Sequence, residues 1–138
     1  PENDRCQDAA QVDFPFVESV SNALATGEGY DSTSLSCSVI SGSSKTLWYE
    51  AVGYGSCLSA SVAADNFEAI LGLYEGACGE ISCLDQTEYG SGNGRGLLFW
   101  RSVIGTTYKI VVAGAYGPSS GDFILAITVR CLFSVCLP

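Results

Sequence analysis

From Phe123 to Val129 every second side chain is large and apolar: Phe123, Leu125, Ile127 and Val129. Only an extended strand, whose side chains alternate between two faces, gathers such a set on one side. The intervening Ile124, Ala126, Thr128 and Arg130 are less polar than a fully wetted face requires. Tyr108, Ile110 and Val112 repeat the alternation in the segment before. These two strands are expected to pair as a closing hairpin with both faces partly covered.

The rest of the chain reads in the same way. Short β-rich runs alternate with Gly, Ser, Asn and Asp clusters, the pattern of a sandwich or barrel. Strands are predicted near 12–20, 33–40, 46–53, 57–64, 68–75, 97–104, 107–114 and 122–130. One helical turn is expected around Asn22 to Ala25. The glycine-rich stretch from Gly90 to Gly96 precedes a strand rather than a helix, so it is read as a loop and not as a phosphate cradle. With 138 residues, the chain is expected to form one domain over 1–138.

Six basic against fifteen acidic residues give a net charge of −9. Such a surface repels phosphate backbones and anionic lipid, which argues against nucleic acid and bare membrane as partners. No apolar run approaches the roughly 20 residues that a membrane-spanning helix needs. The chain has no histidine, so Ser-His-Asp and Cys-His nucleophile systems and imidazole metal ligands are ruled out. Asp65, Glu68, Glu75, Asp85 and Glu88 are carboxylates of the kind that hydrolyse glycosides in pairs. Here they read as solvated loop and strand-end groups. No enzyme activity, cofactor or metal site is expected.

Seven cysteines, Cys6, Cys37, Cys57, Cys78, Cys83, Cys131 and Cys136, point to an oxidising compartment and a disulfide framework. The expected pairs are Cys6–Cys37 and Cys78–Cys83. One of Cys57, Cys131 and Cys136 is then left free or bonded to another molecule. The chain begins at Pro1 without a leader, which is read as the mark of a processed or partial product secreted to the cell exterior or surface.

Both termini are unusual. Val12, Phe14 and Phe16 alternate as in a strand, but Pro15 confines that strand to a sheet edge or an exposed arm. Residues 1–20 are therefore a candidate edge, or an arm donated to a neighbouring subunit. The tail 131–138, with Leu132 and Phe133, is too apolar to be solvated. These six residues are the candidate assembly contacts. Among the aromatics, Trp48, Trp100 and Tyr116 are candidates for a ligand-stacking surface, with Tyr49, Tyr54 and Tyr89 as further members.

Four motifs carry a family resemblance. Gly105-Thr-Thr-Tyr-Lys-Ile-Val-Val-Ala-Gly114 followed by Gly121-Asp-Phe-Ile-Leu-Ala-Ile-Thr-Val129 resembles the closing strands of bacterial pre-peptidase C-terminal domains. Asn66-Phe-Glu-Ala-Ile-Leu-Gly-Leu-Tyr-Glu-Gly76 is similar to their central strand, Leu47-Trp-Tyr-Glu50 to an earlier one, and Asn3-Asp-Arg-Cys6 to their opening. Gly76-Ala-Cys78-Gly-Glu-Ile-Ser-Cys83 matches the cysteine-containing variants. The chain departs from the pattern at Glu68, where the family has aspartate, and at Leu84-Asp-Gln-Thr-Glu88. The resemblance implies an all-β, two-sheet antiparallel sandwich of jelly-roll or immunoglobulin-like shape, here disulfide-stapled. It also implies a non-catalytic module attached to secreted enzymes or surface proteins.

Two functions follow as expectations. One is a structural subunit of an extracellular fibre, self-associating through the amino-terminal arm into a homo-oligomer or filament. The alternative is a carbohydrate- or protein-binding accessory module of a larger secreted enzyme or adhesin.

Overall fold

A computed structural model of the chain describes residues 1–26, 45–87, 94–115 and 119–129. Within them nine strands form two packed sheets. The strands are β1 (Ala10–Gln11), β2 (Phe16–Ser21), β3 (Leu47–Val52), β4 (Cys57–Ala64), β5 (Ala69–Glu75), β6 (Ser82–Gln86), β7 (Arg95–Arg101), β8 (Thr107–Gly114) and β9 (Asp122–Val129). One sheet runs β1-β3-β8-β5-β6 and the other β2-β9-β4-β7. All pairs are antiparallel except the two-residue match of β1 with β3.

The period-two patterns build the core. Phe123, Leu125 and Ile127 on β9 and Leu58, Ala60 and Val62 on β4 meet Tyr49, Leu71, Leu73, Tyr108, Ile110 and Val112 from the facing sheet. Burying this apolar area is the main favourable term in folding. The fold is all-β, as the alternation demands.

β8 is buried along nearly its whole length because the outer face of its sheet is covered too. Trp48, Ile70, Tyr74, Val111 and Ala113 form a second cluster there with Cys6 and Ile81. The amino-terminal segment lies across it as a strap. Trp48 N–H donates to Asn3 O at 2.8 Å, and Asn3 Nδ2 donates to Trp48 O at 2.9 Å. A single 3-10 turn over Cys6–Asp8 then brings Cys6 to the turn after β5, where it bonds Cys78 with a Cα–Cα distance of 5.9 Å.

Several expectations are corrected. Cys6 pairs with Cys78 and not Cys37, and Cys78–Cys83 does not form. Cys78 sits in a turn closed by Glu80 N–H to Ala77 O, whereas Cys83 stands on β6 opposite Tyr74. Strand pairing, not sequence proximity, decides. Cys57 and Cys83 are each disulfide-bonded as well; Cys37, Cys131 and Cys136 lie outside the described residues.

The predicted strand 12–20 forms only from Phe16 onward. β1 ends at Gln11 and β2 starts at Phe16, with Pro15 between them lacking the N–H that a ladder needs. β7 stops at Arg101, short of the predicted 104, and β6 was not foreseen. β8 and β9 belong to different sheets and do not form a hairpin. Asn22 to Ala25 is a simple turn, Ala25 N–H to Asn22 O at 3.0 Å, and among the described residues the one short helix lies instead at Cys6–Asp8. The predicted strand 33–40 falls outside the described residues.

Candidate functional site

Two connections between the sheets lie side by side at one end of the sandwich: the β3–β4 turn (53–56) and the β7–β8 turn (102–106). Backbone hydrogen bonds zip them together. Gly53 N–H donates to Thr106 O at 2.8 Å, Gly105 N–H to Gly53 O at 2.9 Å and Ser102 N–H to Ser56 O at 2.9 Å. The Ser102 hydroxyl donates to Ser56 O at 2.7 Å, and Tyr54 N–H donates to Ser102 Oγ at 3.3 Å. Val103 N–H donates to the hydroxyl of buried Tyr108 at 2.8 Å.

The close approach requires glycine. A Cβ on Gly53 would sit 2.4 Å from Val103 O. Thr106 N–H closes a four-residue turn onto Val103 O at 3.0 Å, with Gly105 at φ +80 in its third position. A positive φ there is what type II turns demand. Ile104 therefore occupies the corner, with its side chain outward.

This rigid tip is apolar where turns are usually polar. Ile104 is 77% exposed, Val103 61% and Tyr54 47%. Together they present on the order of 350 Å² of largely apolar surface, within the size range at which a monomer's patch is often functional. The tip is supported from beneath by Trp100 packed on Tyr108, with ring centroids 5.9 Å apart. Phe14 flanks it, its ring 5.7 Å from that of Tyr54. The Arg101 guanidinium reaches Gly55 O at 3.4 Å.

The ionisable groups are arranged for structure. Glu50 on β3 accepts from Lys109 on β8 and from Gln11 Nε2 on β1, at 3.1 Å in the latter case, in a row across three strands. The Lys109 hydrogen bond holds the Glu50 carboxyl below the usual carboxylate range. Burial pushes Glu18 up. Burial and the neighbouring Glu18 push Tyr49 up. Asp65, Glu68, Glu75 and Asp85 are spread over the ends of β4 and β5 and along β6. Among the described residues no three of Cys, Asp and Glu gather as metal ligands.

The predicted site residues separate into three groups. Trp48 is fully buried beneath the strap, with its indole N–H on Thr46 Oγ1 at 3.2 Å, and Trp100 is buried under the tip. Neither offers a face to a ligand, because each fills a core cluster. Val12 is buried in the protein's own core, Phe16 pairs with Ile127 and packs on Tyr49, and Phe14 joins the tip, with Pro15 beside it. Tyr116, Leu132 and Phe133 lie outside the described residues. Sequence reasoning named Tyr54 but missed Val103 and Ile104, which were read as strand. The signal was Gly105, two residues after Val103, in the place that ends a strand in a turn.

No protein-family model matches the sequence, and no curated protein does. Among solved structures, the pre-peptidase C-terminal domain of a collagenase from Bacillus anthracis aligns with a TM-score of 0.56. That match covers 87% of this chain and 94% of the collagenase domain at 11% identity. The likeness is one of fold. A periplasmic inhibitor of g-type lysozyme from Aeromonas hydrophila aligns with a TM-score of 0.52, covering 88% of this chain and 96% of the inhibitor at 12% identity. The first of these has the fold that the strand motifs implied.

Proposed function

We propose that this chain is a non-catalytic binding module that works outside the cytoplasm and holds a partner protein through the Tyr54–Val103–Ile104 tip. The observation that carries the reading is an aliphatic corner, fixed by seven hydrogen bonds, that faces solvent. A pre-organised apolar knob loses little entropy on docking and contributes through desolvation in a partner's recess. The disulfide supports an oxidising compartment. A protein of this fold is by its name an inhibitor of another protein, which supports a protein partner over a polysaccharide. The burial of Trp48 and Trp100 weighs the same way.

Assembly into a fibre by strand donation is the second reading. Its arm residues are engaged at home: β2 pairs with β9 over six residues, and Val12 N–H donates to Glu50 O at 2.9 Å. Donation would have to dismantle both contacts. A contact between copies that leaves the arm in place needs a different surface.

The test is binding to immobilised secreted hydrolases, with g-type lysozyme first, for wild type and for Ile104→Asp. Burying the exposed fraction of Ile104 is worth about 2 kcal/mol, or about thirtyfold in affinity, before the added cost of a desolvated carboxylate. Ile104→Asp should therefore bind at least thirtyfold more weakly while its melting temperature stays unchanged. Equal affinity for any partner that wild type binds refutes the tip as the contact.

A further inference from the structure

The two outer faces of the sandwich are finished differently. The strap covers that of the five-stranded sheet, whereas much of the outward side of β2-β9-β4-β7 meets solvent; on β4 this holds for Ser61 and Ala63, while Cys57 and Ser59 are buried. The registers place Val17, Ala126, Ser61 and Leu97 in one row across all four strands. Ser19, Ile124, Ala63 and Arg95 form the next. Val17 is 70% exposed, Ile124 50% and Leu97 47%.

Shape follows from side-chain size. β4 contributes only small residues to the centre of this face, Ser61 and Ala63, so its line is a trough. Ile124 and Ala126 wall it on the β9 side, and Leu97 and Arg95 on the β7 side, around an open groove of about 380 Å³. The projecting Ile124 and the trough thus lie on adjacent strands. A two-fold rotation about an axis between them sets each Ile124 over the other copy's trough, the self-complementarity that an isologous contact requires.

Charge selects the same face. Copies bearing −9 each repel wherever their carboxylates meet. Of the outward strand residues here, Asp122 is the sole carboxylate, and Arg95 and Arg101 share the face with it. The opposite outer face carries the Glu50–Lys109 pair and the strap's Asp4 and Asp8. Two copies meet with least repulsion through β2-β9-β4-β7.

We propose that a second copy of this chain docks on this face, with Ile124 of each copy seated in the Ser61–Ala63 trough of the other. The open part of the face, about five residues on each of four strands, spans about 300 Å² per copy from strand spacing and rise. The total of about 600 Å² falls below that of stable interfaces, so the dimer is weak and depends on concentration. The tip, at the end of the sandwich, stays free in such a dimer.

Sedimentation velocity over about 10 µM to about 1 mM, the range expected for a contact of this size, tests the proposal. The weight-average sedimentation coefficient of wild type should rise toward the dimer value. Ile124→Lys, and independently Ser61→Arg, which fills the trough from a half-buried position, should abolish the rise, and Ile104→Asp should leave it unchanged. The last variant separates this contact from the tip. A wild type that stays monomeric throughout overturns the proposal and leaves the face to a partner of another kind. A rise that persists in both Ile124→Lys and Ser61→Arg overturns it equally.

Discussion

Replacing Cys6 and Cys78 together by alanine isolates the strap's covalent anchor. The bond joins residues 72 apart in sequence. Removing a cross-link of that span restores a loop entropy of roughly 15 cal/mol/K to the unfolded chain, about 4 kcal/mol at 25 °C. The bonds at Cys57 and Cys83 remain and shorten the effective loop, so this figure is a ceiling and about 3 kcal/mol is the working value. Against the 5–15 kcal/mol typical of a domain's total stability, that is a large fraction. With a urea dependence of about 2 kcal/mol per molar, the unfolding midpoint should fall by about 1.5 M at constant slope. Equilibrium urea titration followed by tryptophan fluorescence reads this directly, because Trp48 lies beneath the strap. A loss below about 1 kcal/mol refutes the reasoning. The paired Asn3 and Trp48 backbone contacts would then hold the strap unaided.

Gly53→Ala forces a methyl against Val103 O and should destabilise the protein by about 2 kcal/mol, lowering the melting temperature by roughly 6–8 °C in calorimetry. Its binding to any partner of the tip should weaken as well, since Val103 must shift. Stability should also fall in acid. The folded Glu50 pKa lies below its unfolded value, so its contribution is complete above that unfolded value and is lost as pH drops through the folded one. Glu18, raised by burial, acts with the opposite sign: it favours folding most when protonated and costs stability as pH rises through its folded value. Urea midpoints measured between about pH 3 and 7 should show a slope that Glu50→Gln flattens and Glu18→Gln steepens.

The architecture was legible because strand alternation is a local signal. Phe123 to Val129 and Tyr108 to Val112 fixed their own inward faces, and both were placed correctly. Partnership between strands was not legible. β8 and β9 read as a hairpin because they are neighbours in sequence with glycines between them, yet β8 lies between β3 and β5 while β9 lies between β2 and β4. The cysteine pairs failed for the same reason, since loop closure over five residues looks cheap until β6 carries Cys83 into a ladder. β6 was missed because Ser82, Asp85 and Gln86 mask its alternation at the sheet's edge. The tip was hidden by its own chemistry. Val103 and Ile104 are strong β-formers that extend the β7 pattern, and only the positive φ at Gly105 converts them into a corner.

That hidden corner bears on what the surface is for. A sandwich with a strap, a buried tryptophan and a cross-link over one face has the means to conceal apolar side chains, and it leaves those at Ile104, Val103, Val17 and Ile124 uncovered. Side chains that exposed add little to the folded state, so their replacement should be nearly neutral for stability. Gly53, Ser102 and Tyr108, in contrast, are buried and fix the backbone that displays them. Stability and display therefore reside in different residues. The two uncovered surfaces also differ in kind, one a convex knob fixed by hydrogen bonds and the other a broad ridged plane. The knob stands alone at the end of the sandwich, whereas the plane carries both the projecting Ile124 and the Ser61–Ala63 groove and so fits its own rotated image. For that reason the end of the sandwich is assigned to a different protein, and the side to a second copy.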